Sequence, residues 1–360
     1  MRVALIIPTL DRSGAEKQLT LLATELPARG IEPHVFTLDR GGPYAEVLAS
    51  AGVPVTIVGK RGKLDRTAVG RLREGLERFA PAVVHSWLFS AHAYAWAAGR
   101  DGGAKWVQAL RCVDTWKAPW QTWVDQRLWP RVDAFVANGQ AVADHYAAAG
   151  VPREKLSVIA NGVEPPKTST PDPNLFARHR LPADAKVVLT VGRLAPQKRL
   201  KDLLWSFQLL RQAEPRARLV VVGDGPQKAE LKEFARAVEC AADVRFLGHA
   251  DPRPWLATAD AFWIGSAFEG MSNALMEAMA AGLPCVASSI PPNRELIEHG
   301  RQGYLPDPGD AMAFAQYTTR LLGDDALRGE IGSAAAARMR DDFAVSTMVD
   351  AYAGLYRGLA

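Results

Sequence analysis

Three cysteines in 360 residues, Cys112, Cys240 and Cys285, are too few and too scattered for a disulfide framework or a thiolate metal cluster, and their number is odd. Such a chain suits a reducing cytoplasm. No stretch reaches the roughly 18 unbroken apolar residues that a membrane-spanning helix needs. The opening Met1-Arg2-Val3-Ala4-Leu5-Ile6-Ile7-Pro8 has too short an apolar run for a secretory leader and lacks its cleavage pattern, so it reads as a first buried strand. Any membrane contact is then peripheral. Charge of one sign is also scarce. The formal excess is +4, and all of it lies in residues 1–165, with 20 Lys/Arg against 16 Asp/Glu, while 166–360 balance at 23 of each. That bias can attract anions but falls far short of a nucleic-acid-binding stripe. Nor is there a tight Asp-x-Asp pair to hold a divalent cation; Asp324-Asp325 and Asp341-Asp342 are expected in exposed turns near the C-terminus.

What is present is a core. With 48% hydrophobic and 23% charged residues, the chain can fill two α/β domains. Short apolar runs at 3–7, 33–38, 53–58, 82–85, 106–109 and 134–137 alternate with amphipathic stretches at 16–26, 44–51, 64–79 and 90–98, which predicts a parallel sheet with crossover helices. Between Glu164 and Pro173, four prolines in ten residues exclude any regular element except an extended linker. The pattern then restarts, with strands expected at 187–191, 218–222, 244–246, 261–264 and 284–287 and helices at about 201–212, 228–238 and 275–281. The expected fold class is α/β, with two Rossmann-like domains facing each other across a cleft. The first covers 1–165 and the second 166–344. A last amphipathic stretch, 345–359, has no strand after it and is expected to pack back on the first domain. Ligands of such sheets sit beyond the carboxyl ends of the strands, so the loops there should carry the chemistry.

Three loops of the second domain stand out. After the strand at 187–191 comes Gly192-Arg193-Leu194-Ala195-Pro196-Gln197-Lys198-Arg199. It presents a guanidinium and an ammonium that can grip phosphate oxygens, though a solvated basic turn is an equal reading. Gly223-Asp224-Gly225-Pro226 follows the next strand; its glycines read mainly as structural. The most informative segment is Glu269-Gly270-Met271-Ser272-Asn273-Ala274-Leu275-Met276-Glu277-Ala278-Met279-Ala280-Ala281-Gly282, a loop that turns into a helix. Ser272 and Asn273 can cap that helix, whose free backbone N–H groups suit a diphosphate. Glu269 and Glu277 can accept hydrogen bonds from vicinal sugar hydroxyls. A plain alanine-rich core helix accounts for 278–281 but not for the two acids.

In order and spacing these segments resemble the donor domain of the family 4 glycosyltransferases with the GT-B fold. Glu269 and Glu277, seven residues apart in the intervening count, look like that family's paired-glutamate signature. Ile159-Ala160-Asn161-Gly162-Val163-Glu164 resembles its interdomain segment, and Ser13-Gly14-Ala15-Glu16-Lys17 its first glycine loop. The resemblance covers almost the whole chain and implies a retaining hexosyltransferase of the EC 2.4 class. Such an enzyme moves a hexose or N-acetylhexosamine from a nucleotide diphosphate sugar, UDP-sugar favoured over GDP-sugar, to a glycan or lipid-linked acceptor. It implies that Arg193 and Lys198 hold the diphosphate, Glu277 the ribose and Glu269 the transferred sugar. Gly270, Met271, Ser272, Asn273 and Ala274 would line the donor pocket, Gly14 would let backbone approach the phosphates, and Asn161 would support the cleft. No cofactor and no metal are implied, because two cations and a helix N-terminus meet the charge developing on the leaving phosphate.

The chain departs from this pattern on the acceptor side. Where many relatives have a histidine after the strand at 106–109, it has Arg111-Cys112-Val113-Asp114. His85 is the substitute candidate for the catalytic contact, against the alternative of a packed histidine; Arg111 and Asp114 are weaker candidates. Met271-Ser272-Asn273 stands where many relatives have an aromatic and a proline. Seven of ten tryptophans, Trp87, Trp96, Trp106, Trp116, Trp120, Trp123 and Trp129, fall within 87–129. They read either as core or as a platform for a sugar or a lipid interface. Lys60, Arg61, Lys63, Arg66, Arg71, Arg73 and Arg78 crowd the helix expected at 64–79, either as a solvated face or as a contact for anionic head groups at the inner face of the plasma membrane. Two rival functions stay open: a nucleotide-sugar epimerase on the same fold, and a non-catalytic sugar-nucleotide-binding scaffold.

Overall fold

The computed structural model describes residues 1–62, 65–99, 103–113, 118–165, 172 and 174–360. Expectations placed on Lys63, Leu64, Asp114, Trp116 and linker positions 166–171 and 173 lie outside them. The chain forms two compact units, Met1–Gly162 with Val345–Ala360, and Val163–Ala344.

The first unit is built on seven strands: β1 (Arg2–Ile7), β2 (Glu32–Thr37), β3 (Val55–Ile57), β4 (Val83–Trp87), β5 (Lys105–Leu110), β6 (Ala134–Ala137) and β7 (Leu156–Val158). They form one parallel sheet in the order β3-β2-β1-β4-β5-β6-β7. The continuous apolar character of β1 has a simple cause. Val3, Leu5 and Ile7 face one core and Ala4 and Ile6 the other, so both faces are covered. Strand order reverses between β1 and β4, so the connections leaving their carboxyl ends diverge and open a crevice.

The second unit repeats the plan with β8 (Lys186–Val191), β9 (Ala217–Val222), β10 (Val244–Gly248), β11 (Ala261–Ile264), β12 (Cys285–Ala287) and β13 (Gly303–Tyr304), parallel in the order β10-β9-β8-β11-β12-β13. Its reversal falls between β8 and β11. Some elements lie beyond the sequence reading. Strands β7 and β13 have only three and two residues, too short for a periodicity. The helix Asp325–Asp342 buries only Ile331, Gly332, Ala335 and Met339, a thin apolar stripe. The acidic pairs expected in turns belong to this helix: Asp324 is its N-cap, accepting from the Leu327 N–H at 2.9 Å, and Asp341-Asp342 lie at its exposed end.

The closing helix Val345–Leu359 packs back on the first unit, where Met348, Val349, Tyr352, Ala353 and Tyr356 join the core made by Val3, Leu5, Leu19 and Trp87. Polar contacts fix its register: Asp350 accepts from Arg29 Nε at 3.0 Å, and Arg357 donates to the Arg29 carbonyl at 2.6 Å. Burial of each large apolar side chain contributes roughly 1.5–3 kcal/mol, so this helix is an integral part of the first unit. Met348→Ala should lower the stability of the protein by about 2–5 kcal/mol, read as a lower denaturant midpoint in equilibrium unfolding; an unchanged midpoint would mean that the helix is not packed as described.

Candidate active site

Because β8 and β11 are neighbours at the strand-order reversal, the loops leaving their carboxyl ends lie side by side. Lys198 Nζ donates to Glu269 Oε1 across these loops. Glu269 is buried; Ser266 Oγ donates to the same carboxylate oxygen at 2.6 Å. Gln197 Nε2 donates to the Phe268 carbonyl at 2.7 Å and reaches Glu269 Oε2 at 3.4 Å, while the Gln197 carbonyl accepts from Ala267 N–H. Beneath them Ser288 Oγ donates to the Ser266 carbonyl at 2.6 Å, and the buried Asn293 donates to the Ser288 carbonyl at 2.9 Å. The sequence reading named Lys198 and Glu269 but missed Ser266, Ser288 and Asn293. Single hydroxyls and amides carry no pattern, and only the Gln197 position inside the basic loop offered a signal.

Arg193 is exposed, and with Gly192, Leu194, Lys198, Ile264 and Gly265 it borders a recess at the end of β8. Its loop is held by the Gly223-Asp224-Gly225 turn. Leu194 N–H donates to the Asp224 carbonyl, Gln227 N–H to the Leu194 carbonyl, and Gly192 N–H to the Val222 carbonyl. Gly223 has φ +139°, and a Cβ there would lie 1.9 Å from the Gly192 oxygen. The turn is therefore structural, and its service is to hold the arginine loop. Ser272, at the start of the helix Asn273–Ala280, is its N-cap, accepting from Leu275 N–H at 3.4 Å, and Asn273 is the first helical residue. Gly270 and Met271 are buried on the way to it, and Ala274 and Glu277 are half-buried on its first turns. The second unit thus gathers two cations, a carboxylate and a capped helix N-terminus, an arrangement able to bind a diphosphate and adjacent hydroxyls.

In the first unit Gly14 opens the helix Gly14–Glu25, with Ser13 as N-cap. Glu16 in its first turn is buried, accepts from Ser13 Oγ, and has its carboxyl pushed above the usual range chiefly by burial. Gly42 lets the turn after β2 close on this loop, since a Cβ there would lie 2.3 Å from the Leu10 oxygen. Gln18 makes both bonds with the Gly162 backbone, at 2.8 and 3.0 Å, which ties Asn161-Gly162 to the same helix. Asn161 is buried and accepts from Arg111 Nη2.

His85 has no solvent exposure. Its Nδ1 lies 2.6 Å from the Tyr356 hydroxyl of the closing helix, its ring packs against Trp87 and Tyr352, and its Nε2 has no partner among the described residues. Burial, reinforced by Arg111 and His92, holds its pKa well below the usual 6.5. This is the packed alternative of the two readings given to His85, and the geometry gives it no open face from which to serve as a catalytic residue. The tryptophans divide. Trp87, Trp106 and Trp129 are core, whereas Trp120 and Trp123 on the helix Pro119–Leu128 are 59% and 57% exposed. Of the basic helix Arg66–Phe79, Arg71 is occupied by the Val58 and Gly59 carbonyls and Arg73 by those of Ala97 and Ala98; Arg66 and Arg78 remain exposed.

Residues 12–166 match the family model described as Glycosyltransferase Family 4, and residues 171–338 the one described as Glycosyl transferases group 1. The chain belongs to the family 4 glycosyltransferases. The lipopolysaccharide core biosynthesis glycosyltransferase LpsD of Rhizobium meliloti (strain 1021) is 26% identical over 352 residues, 96% of each chain. LpsE of the same strain, likewise a lipopolysaccharide core biosynthesis glycosyltransferase, is 29% identical over 221 residues, which span 61% of this chain and 63% of that relative. The crystal structure of Anabaena Alr3699/HepE in complex with UDP and glucose has the same GT-B fold, with a TM-score of 0.88 at 24% identity, covering 99% of this glycosyltransferase and 100% of that chain. Among the described residues no helix is long and apolar enough to cross a membrane.

His85 supplies a test of its packing. A buried neutral histidine is protonated more readily in the unfolded chain, so stability is full above pH 6.5 and falls as pH drops from there toward the depressed folded-state pKa. His85→Gln should flatten the decline in Tm between pH 7 and pH 5; an unaltered slope would show that His85 is already charged in the folded protein.

Proposed function

We propose that this glycosyltransferase transfers a hexose or N-acetylhexosamine from a UDP-sugar, with retention of anomeric configuration and without metal, to a glycan or lipid-linked acceptor. The observation that carries this reading is the Lys198–Glu269 contact at the carboxyl ends of β8 and β11, beside Arg193 and the capped helix at Ser272. Arg193 and Lys198 grip the diphosphate. Backbone N–H groups around Ser272, Asn273 and Ala274 add their dipoles, Glu277 takes the ribose hydroxyls and Glu269 those of the sugar. As the anomeric bond breaks, negative charge grows on the leaving phosphate, and these fixed donors stabilise it. The acceptor hydroxyl attacks from the face that the phosphate leaves, giving it its proton, so no enzyme nucleophile is used. Glu269 holds Lys198 before the donor arrives, and Ser266 and Gln197 keep the carboxylate paired when the lysine turns to phosphate.

The UDP and glucose bound by the Anabaena protein support the donor, and the names of the Rhizobium relatives support an acceptor from lipopolysaccharide or polysaccharide biosynthesis. The first unit is read as the acceptor side and 166–344 as the donor side. Peripheral contact with anionic lipid is supported by the exposed Trp120 and Trp123, the latter with Arg127 stacked 4.7 Å over its ring. Loss of vesicle binding in Trp120→Ser/Trp123→Ser at low salt is the expected result, and a wild-type protein that ignores such vesicles would remove this part.

Thermal shift without metal should show a selective rise with UDP over GDP and ADP, since a ligand that binds only the folded state raises its stability by mass action. Lys198→Ala should cost on the order of 10²–10³-fold in transfer rate and weaken UDP binding. Glu269→Ala should cost transfer while leaving UDP affinity within a few-fold. Wild-type rates in either variant would overturn the assignment of this site.

A further inference from the structure

Arg111 is the first residue beyond β5, at the carboxyl end of a central strand. Its Nη2 donates to Asn161 Oδ1, its guanidinium lies 4.6 Å over the Trp87 ring, and its Nε–H is sealed from solvent with no acceptor among the described residues. The remaining neighbours are the Tyr352 hydroxyl and His85, which burial holds neutral. An amide, an indole, a phenol and an imidazole surround this cation, and no carboxylate among the described residues forms an ion pair with it. An arginine stays protonated under such conditions. Burying its charge without an opposite one is costly, and folded proteins rarely leave the cost uncompensated.

The surroundings also aim the group. Asn161, fixed through its neighbour Gly162 to Gln18 and to the closing helix, where a Cβ on Gly162 would lie 2.8 Å from Val345 Cα, holds one edge of the guanidinium. Trp87 covers one face. The side chain is half-buried, and the Nη1–Nη2 edge of its guanidinium, unlike the sealed Nε–H, has the planar geometry that matches two oxygens of one phosphate or carboxylate. We propose that Arg111 is the anion-recognition residue of the acceptor subsite, and that the acceptor of this enzyme carries a phosphate or carboxylate close to the hydroxyl that is glycosylated. This rests on the reading of the first unit as the acceptor side. Arg111 is a specificity residue here: the anion supplies a counter-charge that none of the described residues provides, and a neutral sugar does not.

The test is calorimetric titration of the whole protein saturated with UDP, using glucose 6-phosphate, glucuronate and glucose as probes, with inorganic phosphate as the bare anion. Glucose 6-phosphate or glucuronate is expected to bind at least about tenfold more tightly than glucose, and whichever arm shows it names the anion as phosphate or carboxylate. Arg111→Gln should bring the charged probes to the level of glucose. Arg111→Lys, which keeps the charge but not the fork, should retain part of the preference, and UDP affinity should be the same in all three proteins. Three results would overturn the proposal: no preference for either charged probe in the wild type, a preference that survives Arg111→Gln in a protein with a cooperative melt, or UDP affinity that falls with the anion's and so places Arg111 on the donor. Failure of the transfer reading itself looks different, because UDP would then give no heat with the wild type.

Discussion

The proposed donor site depends on one ion pair, and that pair depends on where a sheet changes direction. Lys198 and Glu269 are separated by 71 residues and meet because β8 and β11 are adjacent while their connections lead to opposite sides. Neither loop could form the site by itself. A lysine on a solvated turn would be mobile and fully hydrated, and a carboxylate buried without a partner is costly to desolvate. Joined, each makes the other's state affordable, and the carboxylate's further bonds to Ser266 and Gln197 spread its charge over neutral donors.

The same logic sets the backbone around the pair. The Gly223 turn approaches Gly192 so closely that no side chain fits between them, which leaves the arginine loop with few conformations to lose when a ligand binds. A glycine pattern that reads from sequence as a generic turn is here a spacer of fixed thickness. Serine and asparagine residues one layer down, Ser288 and Asn293, carry the loop from below through bonds to backbone carbonyls.

Much of the fold was legible because parallel strands covered on both faces leave unbroken apolar runs, as at β1 and β8–β9. The residues proposed for the donor site stood out in the sequence because charged groups at strand ends have few other uses. What escaped had weak one-dimensional signals. Strand β13 spans two residues, the long helix Asp325–Asp342 hides a narrow apolar stripe, and the hydroxyl network under Glu269 is visible only in three dimensions. His85 stood at the end of an expected strand of four residues; β4 runs on to Trp87, and the closing helix covers the histidine with two tyrosines. Contacts made by a segment more than 260 residues away cannot be read from the neighbourhood of a histidine. The tryptophan cluster failed as a unit for a related reason, since strand, helix and turn positions within 87–129 alternate between core and surface.

The return of the chain at Val345 also has a consequence for the order of assembly. During synthesis the second unit has emerged in full before the helix that completes the first one exists. Until then Leu5, Leu19 and Trp87 lack the apolar cover provided by Met348, Val349 and Tyr352, and the His85 ring lacks Tyr356. The first unit is thus an early sheet with a late lid. On the ribosome it waits about 180 residues, at roughly 5–20 residues per second, with one face of its core uncovered, a period in which a chaperone or a neighbouring nascent chain can compete for that face.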